Sequence, residues 1–244
     1  MSGIKHWLTP DWPAPANIHA ATTLRVGGVS GGAYSSLNPA MHVGDDADLV
    51  TQNRQIIKGL LGLPGDPVWL DQIHSHRAVQ AVTSEPLQQA DASYTSESGI
   101  VCAVMTADCL PLLMCSTDGS QVAAVHAGWR GLLTGVISNT VSAMQQSNLL
   151  VWLGPAIGPD CFEVGAEVRD AFLAKSAVFI PAFKPQSNGK WLADIYQLAR
   201  IDLGLLGIDK VYGGGFCTVT EQERFYSYRR DKQTGRMATL IWRA

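Results

Sequence analysis

Residues 100 to 126 constrain the chain most. Three apolar runs, Ile100–Met105, Leu110–Cys115 and Val122–His126, follow one another within 27 residues, each four to six residues long and separated by turn-forming residues. Runs of this length with turn chemistry nearby have the pattern of strands. They therefore predict sheet strands joined locally. The Ser-Thr-Asp-Gly-Ser segment between the second and third predicts a tight hairpin, with Asp118 and Gly119 supplying positive φ angles. Downstream, apolar residues recur at helical spacing over 132–146, and further helices are expected at Val164–Ala174 and from Asp194 to about Leu206. Asp194 is placed as the N-cap of the latter and Gly207 as its stop. Short strands are expected at Leu149–Leu153, Lys210–Tyr212 and Met237–Trp242. Hairpin-linked strands followed by strands alternating with helices point to an α+β protein, a mixed sheet covered by helices.

The rest of the sequence narrows the function. The 244 residues suffice to bury a large core, and no repeat or low-complexity linker divides them, so one domain over 1–244 is expected. The glycine- and serine-rich stretch 26–36 reads as an ordered loop. A formal charge of −3 removes the electrostatic footprint of a nucleic-acid or anionic-membrane binder. The first 17 residues have no apolar core and read as an extended lead-in, not as a signal peptide. The most apolar stretch is broken by Thr106, Asp108 and Pro111 and cannot span a bilayer. Five cysteines without a leader fit reduced thiols in the cytoplasm.

Candidate chemistry clusters at the predicted strand ends. His126 closes an apolar run before a glycine-flanked turn, where a strand fixes the ring and a loop leaves it accessible; a satisfied core histidine is the structural alternative. Cys109 lies in a kink beside Asp108 and Pro111, among polar neighbours, as a metal ligand or nucleophile would. Cys102 and Cys115 sit inside apolar runs and read as core. His74 and His76, if on a strand, would share one face. Separations of 35 and 17 residues between His74, Cys109 and His126 are no compact zinc motif, but three strand ends could bring them together. Three protein ligands with one open position is the catalytic pattern for zinc. Arg25, Arg130, Arg229 and Arg230 stand beside glycine turns or tight turns, where guanidinium forks suit a phosphate or carboxylate; ordinary surface charge is the alternative for each. The Gly-Pro-Ala-Ile-Gly-Pro loop at 154–159 supplies shape alone, and Cys217 after the glycine run at 213–215 reads as structural.

The segments TTLRVGGVS, SLNPAMHVGD, QIHSH, DASYT, MTADCLPLL, VAAVHAGWRG, WLGPAIGP, FEVG and SYRRD, in this order from about Thr22 to Trp242, resemble the YfiH-type family of laccase-domain, polyphenol-oxidase-like proteins. The resemblance implies an α+β domain of packed sheets with helices on their outer faces, in α/β/β/α layers. It implies zinc on His74, Cys109 and His126, and leaves His76 without a role. It further implies phosphorolysis of inosine, guanosine, adenosine and methylthioadenosine, with purine nucleosides and inorganic phosphate as partners, and deamination of adenosine. The family's older label is copper-dependent phenol oxidation. A multicopper centre needs a His₂Cys site and an imidazole-built trinuclear cluster, for which six histidines are too few, although copper at a single His₂Cys site remains an alternative metal. In deamination Asp108 is the nearest carboxylate to move protons; in phosphorolysis the arginines would hold the phosphate. A non-metal alternative makes Cys109 the nucleophile and His126 the base of a cysteine hydrolase acting on a cell-wall precursor.

Overall fold

The computed structural model describes residues 6–83 and 86–244. Positions 1–5, the start of the expected lead-in, lie outside the described residues. The part that follows is not merely extended, because Trp7–Leu8 pairs antiparallel with Thr22 and Thr23. Two sheets form the frame. The first has five strands in the order Trp7–Leu8, Ile18–Thr23, Met237–Arg243, Val101–Thr106, Pro67–Val68. The second has six, in the order Val211–Gly213, Leu149–Leu153, Leu110–Ser116, Val122–Ala127, Ala92–Thr95, Ala78–Gln80. The three apolar runs predicted as strands are thus divided: the first belongs to one sheet, and the other two form a hairpin in the other.

The near-continuous hydrophobicity of these strands reflects burial on both faces. Alternate residues of one face, Cys102 and Val104 from the first sheet and Leu113, Cys115, Val122 and Ala124 from the second, pack between the sheets. The opposite face of the second sheet, with Leu112, Met114, Ala123 and Val125, is covered by α2 (Trp129–Thr134), α3 (Val136–Met144), α4 (Ala166–Lys175) and α5 (Ile195–Leu205). On the far side of the first sheet, Ala103, Ala238 and Leu240 pack against Ile57 of α1 (Ala47–Leu61) and Leu37. The result is helix, sheet, sheet, helix in four layers. The resemblance implied this layering; the residue pattern implied only a mixed sheet under helices.

Local chemistry sets the helix ends. Asp194 caps α5, accepting from the backbone N–H of Gln197 at 2.9 Å, and Gly207 follows at φ 74°. The helical run after His126 is not continuous, because Gly135 at φ 95° breaks it into α2 and α3. At the hairpin turn only Gly119 takes a positive φ, 70°. Asp118 instead turns its carboxylate to Ser120, accepting from both its backbone N–H and its hydroxyl. The longest helix, α1, was not apparent in the periodicity, although Asp46 caps it through two backbone N–H groups and Gly62 closes it in the left-handed region. Such a cap is worth about 1 kcal/mol. Among the described residues no helix is long and apolar enough to cross a membrane.

Candidate metal centre and its cavity

Strand register builds the site. In the central hairpin Ala127 faces Leu110, so the chain positions just beyond, Gly128 and Cys109, come together at the strand ends. A Cβ on Gly128 would lie 3.0 Å from Cys109 Sγ and 3.0 Å from His74 Cδ2, so a bare glycine is what lets the thiol and the ring approach. On its other edge the His126 strand runs antiparallel to Ala92–Thr95, with Val125 facing Ala92 and the His126 N–H donating to the Asp91 carbonyl at 2.7 Å. That register sets the Asp91 carboxylate against the His126 ring, Oδ1 to Nδ1 at 2.7 Å.

His74 arrives from outside the sheets. It stands in a bend, not on a strand, at φ 60°, so His74 and His76 do not share a strand face as the sequence pattern suggested. Two clamps hold this left-handed residue, a conformation that costs of order 1–3 kcal/mol for a side chain other than glycine. The Gln72 amide pairs doubly with Met105, Nε2 to its carbonyl at 2.8 Å and Oε1 from its N–H at 2.7 Å. Asp91 accepts from the N–H of His74 at 3.0 Å and from the N–H and hydroxyl of Ser75 at 2.5 and 2.7 Å. His76 is exposed, and its carbonyl accepts from Asn139.

Together these elements bring the ligand atoms of His74, Cys109 and His126 within 4.8 Å of one another. His74 Nε2 stands 3.8 Å from Cys109 Sγ, and the two rings meet edge to face at 4.8 Å between centroids. His126 is only 4% exposed, and because Asp91 holds its Nδ1, Nε2 is the nitrogen left for the site. Burial opposes charge on this pair, but the attraction outweighs it. His126 and His74 hold the Cys109 thiol below its ordinary value, while Cys109 and Asp91 raise His126. Asp91, completely buried, is itself held low against the cost of burial by His126 and Ser75. Among the described residues this is the one group of three or more metal-capable side chains.

The trio opens into a cavity of about 540 Å³, the size of a small-molecule site. Trp129, Phe162 and Tyr228 line it, as do Arg130, Arg229, Arg236 and His42. The Arg130 guanidinium lies over the Trp129 ring at 4.5 Å and has no hydrogen-bond partner among the described residues. Arg229 spends one nitrogen on the Glu163 carbonyl at 2.9 Å, and Arg236 one on the carbonyls of Thr234 and Gly235. The other two arginines singled out from the sequence are not brought here; both line a separate cleft. Arg25 is bound to the carbonyls of Ser35 and Gln222. Arg230 is bound to the carbonyls of Thr218, Val219 and Phe225 and to Asp231. Both guanidinium groups brace loop backbone.

Asp108 does line the cavity, at φ 99°, with both carboxylate oxygens engaged. Oδ1 accepts from the Thr218 hydroxyl and Oδ2 from the N–H of Arg229, each at 2.6 Å. Asp91, Arg236 and His42 join the site without standing out in the sequence pattern. A lone acid opening the strand Ala92–Thr95 was the available signal for Asp91, since a buried carboxylate requires partners. Burial and then the Arg236 charge hold His42 below its ordinary value, toward the neutral ring. Arg236 offered no local pattern. The loop 154–159 contributes Ile157 to the cavity wall, and its Ile157 N–H donates to the Asp108 carbonyl.

Comparison with known proteins adds a family. A model described as multi-copper polyphenol oxidoreductase laccase matches residues 19–244. The chain is 54% identical over 239 residues to purine nucleoside phosphorylase YfiH of Shigella flexneri, covering 96% of this chain and 98% of that one. It is 52% identical to the protein of the same name in Escherichia coli K12, with the same coverage. Among solved structures, Neisseria meningitidis protein NMB0706 superposes with a TM-score of 0.95 at 50% identity, covering 98% of this chain and 99% of that one. YlmD from Geobacillus stearothermophilus gives 0.91 at 30% identity over 100% and 98%.

Proposed function

Because the chain belongs to the YfiH-type family of laccase-like proteins, we propose that it is a cytoplasmic, zinc-dependent purine nucleoside phosphorylase. It takes inosine, guanosine, adenosine and methylthioadenosine with inorganic phosphate to the free base and the ribose 1-phosphate, and it also deaminates adenosine. The observation that carries this reading is the opening of a His-Cys-His ligand set into the same cavity as three arginines with unused donors.

The donor set fits zinc. Two imidazoles and one thiolate about a tetrahedral ion at roughly 2.0–2.3 Å stand about 3.5 Å apart, and the 3.8 Å between Cys109 Sγ and His74 Nε2 is close to that spacing. Copper on the same three atoms is the alternative, but the described residues offer no second cluster through which a multicopper oxidase could pass electrons. When bound, zinc supplies Lewis-acid polarisation of an oxygen in the cavity.

The protein's own groups do the remainder. Asp91 orients His126 and raises its basicity, as a carboxylate behind a ligating histidine does. Arg130, Arg229 and Arg236 bind phosphate by charge-assisted hydrogen bonds and oppose the negative charge it brings to the ribose. Trp129, Phe162 and Tyr228 offer ring faces to a purine. Asp108 fixes the Arg229 backbone at the start of α6 (Tyr228–Asp231) and, in deamination, is the carboxylate available for proton transfer. Arg130→Ala tests the phosphate assignment: losing one charge-assisted contact, about 1.5–3 kcal/mol, should raise the KM for phosphate while the KM for inosine changes little. An unaltered phosphate KM removes Arg130 from the site.

One observation favours a second reading. Cys109, His126 and Asp91 also stand in the order of a cysteine hydrolase, a thiol beside an imidazole that a buried carboxylate orients. Thiol reactivity separates the two.

A further inference from the structure

Two cysteines outside the ligand set, Cys161 and Cys217, flank the turn at Gly158, between Ile157 and Phe162 of the cavity wall. The Cys161 N–H donates to the Gly158 carbonyl at 3.0 Å, closing a turn, and the Gly158 N–H points at Cys217 Sγ at 3.3 Å. Gly158 thus holds both residues, its carbonyl on the Cys161 backbone and its N–H on the Cys217 sulfur, which sets the two cysteines on one turn. A Cβ on Gly158 would lie 2.9 Å from Cys217 Cβ, so the glycine is what permits this approach. The segments carrying the pair are braced together. The Thr218 N–H donates to the Ala156 carbonyl, and the Tyr196 hydroxyl sits between the Ala156 N–H and the carbonyls of Gly154 and Phe216.

Their surroundings differ in a way that suits exchange chemistry. Burial works against the Cys217 thiolate, but the Thr220 hydroxyl and the N–H groups of Thr220, Gly158 and Val219 outweigh it and hold that thiol below its ordinary value. Burial and then the Cys217 sulfur hold Cys161 above its own. Both are half-buried, open to a small reagent, whereas Cys102 and Cys115 are sealed between the sheets.

We propose that Cys217 and Cys161 form a dithiol–disulfide couple that low-molecular-weight disulfides oxidise, with Cys217 attacking and Cys161 resolving. Cys217 Sγ attacks one sulfur of the small disulfide; that S–S bond breaks, one thiolate leaves and a mixed disulfide remains on Cys217. Cys161 releases its proton to solvent and attacks Cys217 Sγ; the mixed bond breaks and the second thiolate leaves. Two protein thiols are oxidised to one disulfide, and the reagent is reduced to two thiols. The site is coupled to the cavity by sequence, because Phe162 lines it and the Glu163 carbonyl holds Arg229.

The test treats the protein as purified with oxidised glutathione, denatures it in alkylating agent and maps the peptides by mass spectrometry. The five free thiols should fall to three, with Cys161 and Cys217 in one cross-linked peptide. Cys161→Ser should stop at a glutathione adduct on Cys217, and Cys217→Ser should leave Cys161 free. The unaltered protein carries the decisive measurement, so a variant that fails to fold does not blunt it. Glutathione retained on Cys217 of the unaltered protein, a cross-link through Cys109, or five thiols surviving an excess of reagent would each overturn the proposal.

Discussion

Replacing Asp91 with Asn should weaken zinc binding more than any other change that keeps all three ligands. The carboxylate accepts four hydrogen bonds, from His126 Nδ1, the His74 N–H, the Ser75 N–H and the Ser75 hydroxyl. An amide has one oxygen. If that oxygen faces His126 and His74, the NH₂ group faces the Ser75 N–H, and only the Ser75 hydroxyl can turn to accept. One charge-assisted bond, worth about 1.5–3 kcal/mol, is lost, and the survivors weaken because a neutral acceptor forms bonds roughly half as strong. The expected destabilisation is about 2–4 kcal/mol, read as a fall in the urea midpoint. Zinc affinity should drop roughly 10–100-fold, the usual consequence of losing an outer-shell carboxylate, measured by competition with a chromophoric chelator. Ser75→Ala is the control, since it removes one hydroxyl and leaves the bond to His126 intact. A folded Asp91→Asn protein that holds zinc within twofold of the original would show that this carboxylate does not support the ligands, as would equal damage from Ser75→Ala.

Two further changes probe the same geometry. Gly128→Ala places a Cβ 3.0 Å from both Cys109 Sγ and His74 Cδ2 and should cost about 1–3 kcal/mol of overpacking; zinc affinity should fall while the urea midpoint of the stripped protein moves less, and unchanged affinity would show that the ligands relax freely. Iodoacetamide should spare Cys109 in zinc-loaded protein and label it after chelation, with activity lost on stripping and restored by zinc. Rapid labelling of Cys109 in the loaded form, with parallel loss of activity, would favour the cysteine-hydrolase reading.

What the sequence disclosed follows from how local each feature is. The strands at 101–106, 110–116 and 122–127 were legible because burial on both faces leaves an uninterrupted apolar signal, and α5 because Asp194 and Gly207 punctuate it. The helix α1 escaped because only Val50, Asn53 and Ile57 of its 15 residues are buried, too sparse a stripe to stand out. His74, Cys109 and His126 could be proposed because ligand residue types are few, but the spacing alone left them speculative and the family resemblance supplied their grouping. The arginines resolved only in three dimensions. Arg25 and Arg130 have similar glycine neighbours, yet one is bound to backbone carbonyls and the other faces the cavity. Asp91 shows the same limit, since its meaning lies in the strand beside it.

If a zinc site works together with bound phosphate, nucleoside cleavage should require both, and product analysis shows whether it does. Inosine should be incubated with zinc-loaded and with chelator-stripped protein, each with and without inorganic phosphate, and the products separated by chromatography. Hypoxanthine and ribose 1-phosphate should form in equal amounts from the zinc-loaded protein with phosphate, and neither product in the other three mixtures. Free ribose formed without phosphate, or undiminished cleavage by fully stripped protein, would contradict that joint requirement.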